Sequence, residues 1–208
     1  MCGIAGYFNP DQNYAENPKQ NFHTLSRMIN TMNHRGPDTY GHTIINSCCL
    51  AHTRLSIIDL ENGRQPMSYT KDGNTYYIVY NGEIYNYKEV KKTLLRKNYT
   101  FETNSDTEVI IAAFCHYGPG FVKELNGIFA IAIYDSMRNT LYLYRDRFGV
   151  KPLYYTKTGD TLVFASRIDT LFEYPRVRPC IDMNSFNEIF SLGPAKTYGK
   201  GVFSRSEE

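Results

Sequence analysis

Ile128-Phe129-Ala130-Ile131-Ala132-Ile133-Tyr134 decides the fold class. A strand with one wet face alternates apolar and polar residues, whereas here both parities are apolar. Such a strand must be covered on each side. It is followed by a turn around Asp135–Asn139 and a partner run, Thr140–Arg145, which together make a hairpin. A second hairpin joins Pro152–Thr156 to Thr161–Ala165 through Lys157-Thr158-Gly159-Asp160. Hairpin links make the sheets largely antiparallel, and double coverage calls for helices outside them. The expected class is α+β, a layered sandwich.

Working outward, residues 3–8 read as a short strand, and 21–33 place Leu25, Met28, Ile29 and Met32 at helical spacing. The run from about Ser47 to Asp59 is extended and mostly apolar. Residues 75–80 form a strand expected to end abruptly at Asn81-Gly82-Glu83, and 87–97 form a helix burying Val90, Leu94 and Leu95. Ser105-Asp106-Thr107-Glu108 matches a capping box that opens a helix with Val109, Ile110, Ala113 and Phe114 inward. After Leu192 the glycines and proline come quickly (Gly193, Pro194, Gly199, Gly201). This divides the chain into a domain over 1–191 and the start of a linker over 192–208.

Composition excludes several classes. Lys+Arg total 23 against 21 Asp+Glu, with the basic residues scattered, so neither a nucleic acid nor an anionic membrane is an expected partner. No apolar run approaches a membrane span, and the N-terminus lacks a basic flank before an apolar stretch; the expected location is cytoplasmic. The five cysteines (Cys2, Cys48, Cys49, Cys115, Cys180) are odd in number and lack metal-ligand spacing. A reducing compartment fits them, with Cys48 and Cys49 as buried thiols on opposite faces of a strand. The 18 tyrosines cluster in strand-like runs, which β-propensity explains.

Cys2 stands directly after the initiator. Methionine is readily trimmed before a small residue, and removal would leave a thiol and a free α-amine on one residue. An α-amine ordinarily titrates at about 7.7–8.0, so it can take the thiol proton near neutrality. By position alone, the reading of Cys2 as a small buried residue in a first strand is favoured.

Three further sites carry two readings each. Asn81-Gly82 is a turn signal, yet a side-chain amide beside a glycine N–H also offers two converging donors for an oxyanion, and one such donor contributes roughly 2.7–4 kcal/mol. Arg54 lies among apolar neighbours in a strand, where a structural ion pair and bidentate capture of a carboxylate explain it equally. Asp106 in a first helical turn complements the macrodipole, or else holds a substrate ammonium. The alternating charges of Arg145-Asp146-Arg147-Phe148-Gly149-Val150-Lys151 read as a solvated turn, and His34-Arg35-Gly36-Pro37-Asp38 as a helix-terminating loop.

Taken together, Met1-Cys2-Gly3-Ile4, His34–Asp38, Arg54-Leu55-Ser56-Ile57, Asn81–Tyr87, Ser105–Ile110, Arg145–Tyr155 and Phe164-Ala165-Ser166 closely resemble the N-terminal glutaminase domain of glutamine-dependent asparagine synthetases. Those are class II amidotransferases of the N-terminal nucleophile hydrolase superfamily. The resemblance covers nearly all of residues 1–200. It implies a four-layer αββα fold, Cys2 as nucleophile, and Asn81 with the Gly82 N–H as oxyanion hole. It implies also that Arg54 holds the glutamine α-carboxylate, that Asp106 and the Glu83 segment hold the α-amine, and that Leu55, Ser56, Ile57 and Ile58 complete the pocket. The implied partners are L-glutamine and a synthetase domain, with a homodimer possible. No cofactor or metal is implied for this domain; ATP and Mg2+ belong with the synthetase half, whose Ser-Gly-Gly-x-Asp-Ser loop does not occur among these residues. Arg167 departs from the glutamate usual at that position, which bears on local ion pairing. The neighbouring alternatives are the glutaminase domain of a sugar-phosphate or purine-pathway amidotransferase, or of another amide synthetase. A retained Met1 would favour a non-catalytic docking module.

Overall fold

The structure is a computed structural model and describes residues 1–55 and 63–192. Two sheets form its centre. Strands β1 (Gly3–Phe8), β2 (Thr39–Ile45), β3 (Cys48–Arg54), β8 (Tyr154–Thr158) and β9 (Thr161–Ala165) make one, in the order β2-β3-β1-β9-β8. Strands β4 (Met67–Lys71), β5 (Asn74–Ile84), β6 (Gly127–Asp135) and β7 (Thr140–Arg145) make the other, in sequence order. Neighbouring strands pair antiparallel in both.

The apolar residues sort into three cores that separate four layers. The middle core joins the sheets through Ile4, Leu50, Val79, Ala130, Ala132 and Phe164. The residues next to these face outward: Ala5, Cys49, Ala51 and Val163 pack with Leu25, Met28, Ile29 and Met32 of α1 (Pro18–Met32). On the far side, Ile78, Phe129, Ile131 and Ile133 pack against Val90 and Leu94 of α2 (Tyr87–Leu95) and Ile110 and Phe114 of α3 (Asp106–Tyr117). The double-apolar pattern of residues 128–134 therefore has its expected cause: Ile131 faces helices and Ala132 faces the other sheet. Two further helices are α4 (Ile168–Leu171), whose Leu171 joins the α1 core, and α5 (Met183–Leu192). Cys48 and Cys49 are both buried and point to different cores, and all five cysteines are free.

Four local expectations are corrected. Leu95, expected on the buried side of α2, is exposed, and the helix buries Val90 and Leu94. Strand β5 does not stop at residue 80: Asn81, Gly82, Glu83 and Ile84 pair with Ala130, Phe129, Ile128 and Gly127. The glycine serves a close approach and not a turn, since a Cβ at 82 would collide with the Ile128 carbonyl oxygen. The capping box is half made. Ser105 Oγ accepts from the Thr107 N–H at 3.2 Å, but the Glu108 carboxylate accepts from the N–H groups of Glu102 and Thr103, each at 2.8 Å, and not from Ser105. Lastly, the Arg145–Lys151 run is no solvated turn. Asp146 is buried and its carboxylate accepts from the N–H groups of Phe129, Phe148, Val150 and Lys151 at 3.0–3.2 Å. The Arg145 guanidinium closes the same loop onto the carbonyls of Gly149 and Lys151, at 2.9 and 3.1 Å.

Candidate active site

One cavity of about 140 Å³ opens where the ends of β1, β3 and β5 meet the start of α3. Cys2, Arg54, Leu55, Asn81, Gly82, Glu83 and Asp106 all line it, although they come from four separated stretches of chain. Ser56, Ile57 and Ile58 lie outside the described residues.

Cys2 precedes the first strand and is partly exposed. Among the described residues its sulfur is held by Leu55, just after β3: the Leu55 N–H donates to Sγ at 3.4 Å, and Sγ lies 3.6 Å from the Leu55 carbonyl oxygen. By contrast, burial pushes the thiols of Cys49 and Cys115 up to about 12 and that of Cys48 well above its ordinary value. Those three are protonated and inert at neutral pH.

The His34–Asp38 loop supports both Cys2 and Arg54. Arg35 Nε donates to the Cys2 carbonyl at 3.1 Å, and the Asp38 N–H donates to the Arg54 carbonyl at 3.0 Å. Between them, Gly36 lies directly against the Thr53–Arg54 backbone, where any Cβ would collide. A stretch that looks like a helix-terminating loop thus positions two cavity residues at once. Burial lowers the Arg35 guanidinium from its usual range, and Arg167 adds to the effect. Arg167 itself pairs with Asp169 at 2.6 Å and meets His34 Nε2 at 2.7 Å, which settles the local ion pairing around this departure.

Asn81 is 2 % exposed, and its side-chain Nδ2 is buried without a hydrogen-bond partner among the described residues. A buried amide donor left unmatched costs about 1–3 kcal/mol, so its retention beside a cavity marks a place where an acceptor is expected to arrive. Asp106 is 6 % exposed at the head of α3, and burial raises its carboxyl above the ordinary carboxylate range. The Tyr80 hydroxyl donates to its Oδ2 at 2.9 Å and the Ile84 N–H to the same oxygen at 3.4 Å. A helix-capping role alone would leave this side chain in solvent; instead it is buried at a cavity wall.

Several lining residues escape a reading of the sequence. Tyr80 and His52 look like interior strand residues, and Gln65 belongs to no motif. His52 is 1 % exposed; burial lowers its imidazole to about 3, against an opposing hydrogen bond with the Tyr80 backbone, so the ring is neutral. Lys151, delivered by the Asp146-centred loop, places Nζ 3.5 Å from the Met1 sulfur, and both line the cavity. Among the described residues no group of three His, Cys, Asp or Glu side chains is arranged to hold a metal ion, and no helix is long and apolar enough to cross a membrane.

Known proteins share this architecture. The glutamine phosphoribosylpyrophosphate amidotransferase of Bacillus subtilis superposes with a TM-score of 0.61 at 19% identity, covering 82% of this chain and 43% of that one. In sequence, asparagine synthetase [glutamine-hydrolyzing] 3 of Bacillus subtilis is 40% identical over 208 residues, all of this chain and 33% of that protein. Asparagine synthetase B [glutamine-hydrolyzing] of Escherichia coli K12 is 40% identical over 165 residues, 78% of this chain and 28% of that protein. The chain therefore spans about a third of the length of the curated relatives it matches. The family model for the glutamine amidotransferase domain matches residues 1–207, and with the two-sheet fold and the Cys2 cavity in place, the chain belongs to the glutamine amidotransferase domain family.

Proposed function

We propose that this domain hydrolyses the side-chain amide of L-glutamine to glutamate and ammonia, as the ammonia-supplying part of a glutamine-hydrolysing asparagine synthetase. The observation that carries the reading is the convergence of Cys2, Arg54, Asn81, Gly82, Glu83 and Asp106 on one cavity. These supply a thiol, a carboxylate-binding cation, a buried amide donor and a buried anion, matching the reacting amide and the two charged ends of one amino acid.

With Met1 removed, the Cys2 α-amine takes the thiol proton, directly or through a water. The sulfur attacks the carboxamide carbon, and the resulting oxyanion is received by Asn81 Nδ2 and the Gly82 N–H. Collapse breaks the C–N bond, the nitrogen takes the proton and leaves as ammonia, and a γ-glutamyl thioester remains. Water then attacks the thioester, releasing glutamate and restoring the thiol. Arg54 holds the α-carboxylate and Asp106, with the Glu83 segment, the α-ammonium; Leu55 fixes the sulfur, and Ser56, Ile57 and Ile58 are assigned to the pocket from sequence alone. The chemistry needs no cofactor. ATP and Mg2+ enter only with a synthetase domain, to which residues 192–208 would lead from the 1–191 domain. Cytoplasmic residence accords with the free thiols.

Intact mass paired with a glutamine-to-glutamate assay tests the reading. Protein lacking Met1 is expected to turn over, and Cys2→Ala is expected to abolish turnover while keeping its circular dichroism. Undiminished hydrolysis in a folded Cys2→Ala variant overturns the assignment. Met1, exposed and in contact with Lys151 at the same cavity, supports a second reading: protein that keeps Met1 is inert and serves to dock a partner.

A further inference from the structure

Tyr80 forms a buried polar pair with Asp106, and the hydrolytic chemistry above gives the tyrosine no role. Tyr80 belongs to the helix-facing core of β5, alongside Ile78 and Ile84, and is 3 % exposed. An apolar ring would pack there equally well, yet the residue carries a hydroxyl that donates to Asp106 Oδ2 at 2.9 Å. The pair is braced a second time. Gln65 Oε1 accepts from the Tyr80 N–H at 2.6 Å while its Nε2 donates to Thr107 Oγ1 at 3.2 Å. Backbone and side chain of one tyrosine are thus both tied to the first turn of α3.

We propose that Tyr80 is a positioning residue that sets this domain's selectivity for substrates bearing a free α-ammonium, by holding the Asp106 carboxylate ionised and fixed in orientation. The inference rests on the glutaminase reading and deepens it. A carboxylate buried beside a cavity without a cation drifts toward the neutral acid, which cannot attract an ammonium. Donors on the charged form oppose that drift, and a hydroxyl is the strongest neutral donor within reach. The other donors to this carboxylate are backbone N–H groups, that of Ile84 at 3.4 Å from Oδ2 and those of Thr107 and Asp106 itself, whereas the Tyr80 hydroxyl is the side-chain donor and the shorter contact on Oδ2. Tyr80 cannot compete as an anion, because burial and the neighbouring Asp106 keep its phenol protonated. Asn81, the next residue, is the proposed oxyanion donor, so two consecutive residues of β5 serve opposite ends of one substrate.

The test compares two amides on the full 208-residue chain: glutamine, and glutaramate, which is glutamine without its α-amine. In Tyr80→Phe the ratio of kcat/KM for glutamine to that for glutaramate is expected to fall about tenfold, the worth of one hydrogen bond to a charged group. The loss should appear in KM more than in kcat. Asp106→Asn should collapse the same ratio, and adding Tyr80→Phe to it should lower the ratio no further. Equal losses on both amides would overturn the proposal and leave Tyr80 a packing residue, as would an unchanged ratio. Should Tyr80→Phe fail to fold, Gln65→Ala releases the second brace and is expected to lower the ratio by a smaller factor; an unchanged ratio there overturns the proposal too. Wild-type protein whose mass shows Met1 removed and which hydrolyses neither amide defeats the glutaminase reading itself, and the inference with it. Wild-type turnover with an unaltered ratio in the variants defeats the inference alone.

Discussion

Gly82 faces the Ile128 carbonyl oxygen at a distance that leaves no room for a Cβ. The contact lies between β5 and β6, next to the register pair Gly82↔Phe129, and it sets how closely the cavity wall approaches its neighbour. Gly82→Ala must push the strands apart, and overpacking of this kind costs about 1–3 kcal/mol. A lower urea midpoint with an unchanged m-value is the expected result. Hydrolysis should fall as well, since the strand that shifts carries Asn81.

Asn81→Ala removes the buried, unpartnered Nδ2 donor. If that donor meets charge only as the oxyanion forms, kcat falls by about 10²–10³-fold while KM moves little. Steady-state kinetics on glutamine separate this from a binding role, which would raise KM at constant kcat.

Asp146 organises the loop that brings Lys151 to the cavity. Burial works to raise its carboxyl, but the N–H groups of Lys151, Val150, Phe129 and Phe148 outweigh that and lower it below the ordinary value. A depressed acid contributes stability above its unfolded pKa and loses that contribution as pH falls through the folded value. Asp146→Asn should therefore cost about 1–3 kcal/mol near neutrality and show a shallower acid decline than the wild type below about pH 4. Denaturant titrations from pH 3 to 7 read both effects.

His52 is predicted to make the fold acid-sensitive in a higher window. Its folded value of about 3 lies below the ordinary 6.5, so the unfolded chain takes up a proton that the folded one refuses. The stability linked to His52 is complete above the unfolded value and is lost as pH falls from there towards 3, by up to about 1.4 kcal/mol per pH unit. His52→Gln should flatten this slope between pH 4 and 6. An unchanged slope would place the acid sensitivity elsewhere.

The parts of the fold that sequence makes legible are those whose pattern is local and strong. Residues 128–134 and 140–145, β1 and the apolar face of α1 lie where periodicity puts them, and the hairpin expected from Pro152–Thr156 to Thr161–Ala165 is present with its first strand two residues later, at 154–158. Edge position alone does not hide a strand, since β7 and β8 are edges too, but strands β2 and β4 leave a weaker trace. Their residues are mostly half-buried or exposed, so no apolar alternation marks them. Asn81-Gly82 misleads for a related reason: the glycine answers to a neighbouring strand 46 positions away, at Ile128, and local turn statistics cannot register that. The seven expected cavity residues that the structure describes do meet, since motif resemblance carries them. Tyr80, His52 and Gln65 go unread because their polar atoms matter only through partners on other elements. The run around Asp146 looks solvated because its charges are counted without the backbone donors that fold around one of them.

Strand β1 opens at Gly3, paired with Thr53, so the peptide bond between Met1 and Cys2 lies outside the ladder. Cutting it breaks no sheet hydrogen bond, and the Arg35 contact to the Cys2 carbonyl is retained by the shortened chain. Among the described residues the contact surrendered is that of the Lys151 ammonium with the Met1 sulfur. On the proposed mechanism the sheet can therefore be complete while the Cys2 α-amine is still locked in an amide, and releasing that base asks no strand to move.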